Sequence, residues 1–171
     1  MTHSTGPEAT QPRDAVEADI DSLADLWHEG WCDAHADIVP ADLRRLRTLA
    51  SFRERLRNSL ASVRVVGPPG SQLGFHMVKA AELNSFYVSR AARGTGVGAT
   101  LMADAEARLF QAGVETAWLA CAIGNDRAAR FYEKTGWRRT GTMINEAETS
   151  EGLFPVETWR YEKVLVAGRK P

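Results

Sequence analysis

A glycine-rich loop between a strand and a helix constrains the fold of this chain more than any other feature of its sequence. Residues 83–88 combine aromatic and β-branched side chains and end at a polar turn, which predicts a strand. Apolar residues recur at helical spacing from 101 to 110 and stop at Gly113, which predicts a helix. Between them lie Gly94, Gly96 and Gly98. A backbone without Cβ atoms exposes its amides where the helix N-terminus carries unpaired N–H groups, so the loop is predicted to bind an anion such as a pyrophosphate.

The same glycines fit three motifs. Residues 94–99 satisfy the dinucleotide fingerprint G-x-G-x-x-A, and Glu115 lies at about the spacing of its acidic residue. The context differs, because five residues separate the strand from the first glycine and Glu115 begins a strand instead of ending one. A phosphate-binding loop of the G-x-x-x-x-G-K-[ST] type is excluded, because no Lys-Ser or Lys-Thr follows. The third interpretation is R-x-x-G-x-G, from Arg93 to Gly98.

A second motif follows after one predicted helix and one predicted strand. Residues 125–137 form the pattern N-x-x-A-x-x-F-Y-E-K-x-G-W, in which Ala128 takes the small position. The two motifs, in this order and at this separation, resemble the two signatures of the GNAT superfamily of N-acetyltransferases. The resemblance covers roughly residues 14–166 and is specific from Leu83 to Trp137.

Length and composition predict one domain. A chain of 171 residues that is 44% hydrophobic can bury one core, which we place at residues 13–171 after a disordered tail at 1–12. The net charge of −1 gives no general attraction to nucleic acid or to an anionic membrane. Cys32 and Cys121 form no C-x-x-C pair and have no cluster of metal ligands, so no metal is expected. Without a signal peptide or a membrane span, a cytoplasmic protein is expected.

The predicted elements alternate between strands and helices. Asp19 is predicted to cap the first helix, and Ser51 and Glu54 are predicted to form a capping box. The arginines over residues 44–57 are predicted to lie on a solvated helical face. In chain order we predict a strand at 13–17, a helix from 19 to 31, a loop at 31–40, helices at 42–49 and 51–60, strands at 63–66, 73–78 and 83–88, a helix to about 112, a strand at 116–121, a helix at 125–135, and strands at 137–144 and 156–166 joined by a polar loop at 145–152. This order predicts an α/β (α+β) fold, a central sheet with helices on both faces.

The resemblance refines this fold and implies a cofactor. In the GNAT fold a mixed, mostly antiparallel sheet of about seven strands contains two parallel strands that splay apart in a V. Here these would be residues 83–88 and 116–121. The resemblance implies that acetyl-CoA lies in the gap as the acetyl donor. It also implies that a homodimer can form through the terminal strands.

The resemblance assigns cofactor contacts to both motifs. Backbone amides near Phe86 and Val88 would hold the pantetheine arm and the thioester carbonyl. Asn125 would hydrogen-bond the cofactor arm, and it can cap its helix at the same time. The residues implied for the pyrophosphate are Arg93, Gly94, Gly96, Val97, Gly98 and Ala99.

The resemblance also assigns the chemistry. Tyr132 would protonate the leaving thiolate, and its spacing of seven residues from Asn125 places both on one helix face; the alternative is a core tyrosine. Only a neutral amine attacks a thioester, so a base is needed. Glu82 would act as this base through water, unless it is a solvated residue at the strand edge.

The acceptor site is the least defined part of the prediction. The resemblance places Trp27 and Trp31 at its wall, although core packing also explains both tryptophans. His76 is a further candidate. Cys121 could form an acetyl-enzyme, but direct transfer with Cys121 as a core thiol is preferred.

The predicted function is therefore acetyl-CoA-dependent N-acetylation of a primary amine. A small molecule, an amino acid, an antibiotic and a protein N-terminus all stay open as acceptors. One alternative is a non-catalytic acyl-CoA sensor of the same fold. The other is a nucleotide-dependent oxidoreductase, which the G-x-G-x-x-A match suggests.

Overall fold

The computed structural model describes residues 10–166, so residues 1–9 of the predicted tail lie outside the described part. Those residues build one seven-stranded sheet with helices packed against it. In chain order the strands and α-helices are β1 (Arg13–Asp14), α1 (Ile20–His35), α2 (Ala41–Leu46), α3 (Leu49–Ser59), β2 (Val63–Val66), β3 (Gly74–Lys79), β4 (Glu82–Val88), α4 (Val97–Gln111), β5 (Thr116–Ala122), α5 (Asp126–Lys134), β6 (Arg138–Thr149) and β7 (Gly152–Val164).

The sheet has the order β1-β2-β3-β4-β5-β7-β6. Every neighbouring pair is antiparallel except β4 and β5, which run parallel. The predicted mixed, mostly antiparallel sheet is confirmed. β6 lies at one edge, where dimerisation through the terminal strands stays a prediction. None of the helices in residues 10–166 is long and apolar enough to span a bilayer.

Helices cover both faces of the sheet, as the element order predicts. Successive residues of a strand point to opposite faces. On β3, Phe75 and Met77 pack with α1 and α3 in one core cluster, whereas His76 points to Asp104 of α4. A second cluster joins α4 and α5 to β5 and β7 and includes the buried Leu109.

The two parallel strands pair at only one position. Glu82 of β4 is in register with Trp118 of β5, and the Trp118 N–H donates to the Ala81 carbonyl at 3.0 Å. Beyond this point β4 continues to pair with β3, and β5 continues to pair with β7. The facing edges of β4 and β5 therefore diverge and leave a wedge between them.

A β-bulge marks the start of this divergence. Leu83 pairs with Val78 and Ser85 pairs with Met77, so Asn84 has no partner on β3. An extra residue in one strand bends that strand and increases its local twist. The bulge therefore supplies a local reason for β4 to turn away from β5.

Two boundaries near the N-terminus differ from the predictions. Helix α1 continues to His35, so the predicted loop over residues 31–40 is wrong for its first half. The rings of Trp31 and His35 stack at 5.0 Å, one helical turn apart, and this contact supports the last turn. Strand β1 is shorter than predicted. It ends at Asp14 and not at residue 17, because a 3₁₀ turn begins at Glu17.

Asp19 is the N-cap residue of α1, as predicted, but its side chain does not cap the helix, and the predicted capping box at Ser51 and Glu54 is wrong. The Asp19 carboxylate is fully buried and accepts hydrogen bonds from Arg13 and Gln72 instead of capping α1. Helix α3 begins two residues before the predicted capping box. Its cap is Thr48, whose Oγ1 accepts from the Ser51 N–H at 3.1 Å.

The β6–β7 hairpin is much longer than predicted. Residues 145–152, predicted as a polar loop, belong to the two strands except for a two-residue turn at Ser150 and Glu151. Asn145 pairs with Val156 across this extension. Its charged and polar residues have low strand propensity, which explains the wrong prediction. The hairpin reaches Arg47, which donates to the carbonyl of Glu148.

Candidate functional site

A cavity of about 410 Å³ opens where β4 and β5 diverge. Its wall includes residues from α1, α3, α5, the glycine loop and the β6–β7 hairpin. The predicted site residues that line it are Trp27, Trp31, Phe86, Val88, Arg93, Gly94, Gly98, Asn125 and Tyr132. The predicted site residues outside its lining are His76, Glu82, Gly96, Val97 and Ala99.

The glycine loop exposes backbone N–H groups at the start of α4. Gly94 and Gly96 have φ angles of +75° and +92°, a region that favours glycine. Gly96 is the N-cap of α4 and provides no side chain to bond the first N–H groups of the helix. A Cβ atom at Gly98 would lie only 3.3 Å from the ring of Phe131, so this position also needs a small residue for packing. The loop can therefore offer several N–H donors to an anion.

Three arginines surround one carboxylate beside this loop. Asp33 accepts hydrogen bonds from Arg90 at 3.0 Å, Arg93 at 3.5 Å and Arg127 at 3.4 Å. Burial would raise the pKa of Asp33, but the arginines outweigh it and lower that pKa. One carboxylate cannot neutralise three guanidinium groups. The local excess of positive charge suits a phosphate-bearing ligand.

The diverging strands offer unpaired backbone to a ligand. Between Ser85 and Val88, β4 has a strand partner on the β3 side only. An extended ligand in the wedge can bond such an edge as an additional strand would. Phe86 and Val88 line the cavity at this edge.

Asn125 and Tyr132 lie on one face of α5 and line the same cavity, as their spacing predicts. The Asn125 Oδ1 caps the helix by accepting from the Ala128 N–H at 3.4 Å. The Tyr132 ring packs against Phe131 and Tyr161, each at 5.9 Å between centroids. Burial raises the pKa of Tyr132, so its phenol carries its proton at neutral pH but is a weaker acid than a free tyrosine.

Cys121 has the properties of a core thiol. It is 4% exposed, and burial raises its pKa to about 12. The thiolate needed for a covalent acetyl-enzyme is therefore scarce at neutral pH.

Among residues 10–166, no group of three or more His, Cys, Asp or Glu side chains is arranged to hold a metal ion.

Glu82 lies at the closed end of the wedge. Its Oε1 accepts from the Asn84 side-chain amide at 3.2 Å, and Asn84 lines the cavity. Burial raises the pKa of the Glu82 carboxyl, although the hydrogen bond from Asn84 opposes this effect. The carboxyl is therefore adjacent to the cavity without lining it.

His76 is not part of the cavity, and its prediction as an acceptor contact is wrong. Its side chain is fully buried on the opposite face of the sheet, where Nε2 lies 2.7 Å from Asp104 Oδ2. Arg64 donates to the same carboxylate at 3.1 and 3.2 Å. His76 belongs to a hydrogen-bonded cluster with Arg64 and Asp104 that joins β2, β3 and α4.

Three arginines in the cavity wall were missed by the sequence prediction: Arg127, which pairs with Asp33, and Arg47 and Arg55 on the side of the first three helices. Arg47 is 6% exposed, and the guanidinium of Arg55 lies 4.3 Å from the ring centroid of Trp27. The solvated-face interpretation is wrong for these two residues. Helical spacing offered a signal for Arg55, because it lies three residues after Phe52, which is fully buried.

Comparisons by sequence give consistent results. A sequence model of the acetyltransferase (GNAT) family matches residues 59–137. An uncharacterized N-acetyltransferase of Mycobacterium tuberculosis is 31% identical over 112 residues, which cover 63% of this chain and 69% of the relative. A protein of the same description from Mycobacterium bovis matches equally well.

Comparisons by structure reveal the same fold in N-acetyltransferases. A GCN5-related N-acetyltransferase from Rhodopseudomonas palustris has a TM-score of 0.68 at 20% identity and covers 90% of this chain and 94% of its own. The PaiA N-acetyltransferase of Thermoplasma acidophilum, solved with coenzyme A, has a TM-score of 0.60 at 18% identity, with coverages of 90% and 98%. YncA of Salmonella typhimurium, solved with its cofactor acetyl-CoA, has a TM-score of 0.61 at 18% identity, with coverages of 94% and 96%.

Proposed function

Since the chain belongs to the acetyltransferase (GNAT) family, we propose that it transfers the acetyl group of acetyl-CoA directly to a primary amine. The observation that carries this proposal is the wedge between β4 and β5, which opens beside the exposed N–H groups of the glycine loop. An acyl thioester on a long arm with a diphosphate fits both features. The solved neighbours that hold coenzyme A or acetyl-CoA support this choice of ligand.

Each part of the cofactor has a proposed partner. The pantetheine arm lies in the wedge and bonds the open edge of β4 near Phe86 and Val88. A backbone N–H there also stabilises the charge that develops on the thioester oxygen during attack. Asn125 bonds the arm from α5. The diphosphate accepts from Arg93 and from the N–H groups of Gly94, Gly96, Val97, Gly98 and Ala99.

Arg93→Ala is expected to raise the KM for acetyl-CoA about tenfold, because a hydrogen bond between charged groups contributes about 1.5–3 kcal/mol. The kcat is expected to change little, since Arg93 does not contact the reacting atoms. Initial-rate kinetics with varied acetyl-CoA measures both values. The control is Arg57→Ala, which removes an exposed arginine of α3 outside the cavity. An equal change in both variants would contradict the assignment of Arg93.

The proposed reaction needs two proton transfers. The lone pair of the amine nitrogen attacks the thioester carbon and gives a tetrahedral intermediate. The carbon–sulfur bond then breaks, and the Tyr132 hydroxyl gives its proton to the leaving sulfur. The surplus proton on the nitrogen passes through water to the Glu82 carboxylate, which acts as the general base. The proton on Glu82 then returns through water to the Tyr132 oxygen, so both groups regain their starting states. The products are an amide and coenzyme A with a free thiol.

Glu82→Gln is expected to lower kcat/KM about 10²-fold, the lower end of what a general base contributes. The base works only when it is unprotonated, so kcat/KM of the wild type, calculated for the concentration of neutral amine, should fall as the pH drops through the raised pKa of Glu82. This acidic limb should lie above the ordinary glutamate pKa of about 4.3 and should vanish in the variant. Glu54→Gln, at an exposed position of α3, is the control. A variant that retains the limb would exclude Glu82 as the base.

The two alternative functions make different demands on the structure. Dinucleotide-binding folds require a mostly parallel sheet, whereas this sheet has one parallel pair. An acyl-CoA sensor would bind the cofactor in the same wedge without transferring the acetyl group. Turnover separates the sensor from the enzyme.

A thiol-release assay with acetyl-CoA and a panel of primary amines tests the proposed function. The proposal predicts coenzyme A release that depends on an added amine, with one acetylated amine formed per thiol. Calorimetry with acetyl-CoA and with NAD(H) accompanies the assay. Cofactor binding without release for any amine would favour the sensor. Binding of NAD(H) but not of acetyl-CoA would favour the oxidoreductase.

A further inference from the structure

The cavity wall contains two guanidinium groups, a buried one at Arg47 and a partly buried one at Arg55, without a carboxylate at ion-pair distance. Arg47 and Arg55 both line it, on the side formed by the first three helices. Within residues 10–166 neither guanidinium forms an ion pair with a carboxylate, whereas the arginines at the glycine loop share Asp33. Uncompensated buried charge is costly, so such an arrangement calls for a ligand of opposite charge.

The contacts of the two arginines hold them in place without neutralising them. Arg47 donates to the main-chain carbonyl of Glu148, and its Nε is buried without a partner. The Glu148 carboxylate lies 3.9 Å from Lys79. Arg55 stacks over Trp27, and aromatic contact orients a guanidinium while leaving its N–H groups available.

No titration at neutral pH removes these charges. Burial lowers the pKa of Arg55 to about 10, and the neighbouring charge of Arg47 lowers it further. Burial also lowers the pKa of Arg47. Tyr87 interacts with both arginines, but burial raises its pKa to about 12, so its phenol stays neutral. The Glu148 carboxylate attracts both guanidinium groups but forms an ion pair with neither, and it is 63% exposed and lies 3.9 Å from Lys79, so the two positive charges are only partly balanced.

We propose that the acceptor amine carries a carboxylate that binds Arg47 and Arg55, and hence that the acceptor is an amino acid. This inference rests on the proposed function, because it names the acceptor of that reaction. A planar carboxylate matches the fork of a guanidinium group. The diphosphate of the cofactor has its own cations, Arg93 and Arg127, on the other side of the cavity. Trp27 and Trp31 give the acceptor side an aromatic wall, which suits an apolar side chain.

The test compares matched acceptors in the thiol-release assay. The set for one side chain contains L-phenylalanine, L-phenylalaninamide, phenethylamine and the phosphonate analogue of phenylalanine. Sets built on leucine and methionine cover smaller side chains. Rates are compared at equal concentrations of neutral amine, because the amide and the acid differ in amine pKa. We expect kcat/KM for the free acid to exceed that for the amide by about tenfold or more, the contribution of a charge-assisted hydrogen bond.

Variants connect this preference to the arginines. Arg55→Gln is expected to reduce the ratio of acid to amide about tenfold while the KM for acetyl-CoA stays unchanged. Arg57→Gln, two residues away and exposed, should retain the wild-type ratio. Arg47→Lys retains the positive charge but loses the forked N–H donors of the guanidinium group. It also keeps a long side chain at a position that contacts the β6–β7 hairpin.

Several outcomes would overturn the inference. These are equal rates for acid, amide and amine, a preference for the phosphonate, or an equal loss for all acceptors in Arg55→Gln. If no acceptor is turned over, calorimetry of N-acetyl-L-phenylalanine and its amide, with and without coenzyme A, decides the question. Binding of the acid by the wild type but not by Arg55→Gln supports the inference, and any other pattern overturns it. The failure of the proposed function is distinguishable from this: acetyl-CoA would not bind, or no amine would release coenzyme A from it.

Discussion

Tyr132→Phe is expected to lower kcat about 10²–10³-fold while the affinity for acetyl-CoA stays unchanged, the effect of removing a general acid. The Tyr132 phenol carries its proton at neutral pH, since burial raises its pKa further above the ordinary value, and Tyr132 lines the cavity on the same face of α5 as Asn125. Without its hydroxyl, the sulfur must leave as an unprotonated thiolate. The ring of phenylalanine retains the packing against Phe131 and Tyr161.

Steady-state kinetics and calorimetry with acetyl-CoA measure the two parts of this prediction. Tyr161→Phe is a matched control, because Tyr161 is fully buried outside the cavity and bonds Glu133 and Arg139. We expect that control to lose stability and to retain kcat. A Tyr132→Phe enzyme with the wild-type kcat would show that another group protonates the sulfur.

Asp104→Asn is expected to lower the free energy of unfolding by about 2 kcal/mol at pH 7, below the usual 3–5 kcal/mol for breaking a buried ion pair. The smaller value reflects the 16% exposure of the Asp104 side chain. The substitution removes the negative charge that Arg64 and the fully buried His76 share. Urea unfolding of wild type and variant measures the difference, and Asp25→Asn, at an exposed position of α1, is the control.

The stability contributed by Asp104 should depend on pH with a definite sign. Burial would raise the pKa of Asp104, but hydrogen bonds from His76 and Arg64 outweigh burial and lower it well below the ordinary value. The contribution is therefore fully present above the unfolded pKa of about 3.9 and is lost as the pH falls towards the folded pKa. The difference between wild type and variant should shrink below about pH 4. A difference that is the same at pH 7 and pH 3 would contradict this account of the cluster.

The fold around the glycine loop could be predicted because its signals are local. Positive φ angles at Gly94 and Gly96 require glycine whatever surrounds them, and an asparagine cap is decided within one turn of helix. The same holds for the stop of α5 at Gly136, which also has a positive φ angle. These positions carry their structural reason in the sequence itself.

The positions of His76 and Arg47 and the length of the β6–β7 hairpin could not be predicted, because they depend on partners that are distant in the sequence. His76 lies on a strand covered by helices on both faces, so alternation alone does not reveal which face it occupies. Arg47 is buried because a hairpin more than 90 residues later covers it. The strand character of residues 145–149 comes from pairing with β7 and overrides weak local propensity.

A crystal structure of the protein with acetyl-CoA tests the central claim most directly. The account predicts the pantetheine arm between β4 and β5, its diphosphate on the N–H groups of residues 94–99, and its sulfur next to Tyr132. A cofactor bound elsewhere, or strands β4 and β5 paired along their length with the loop unoccupied, would contradict it.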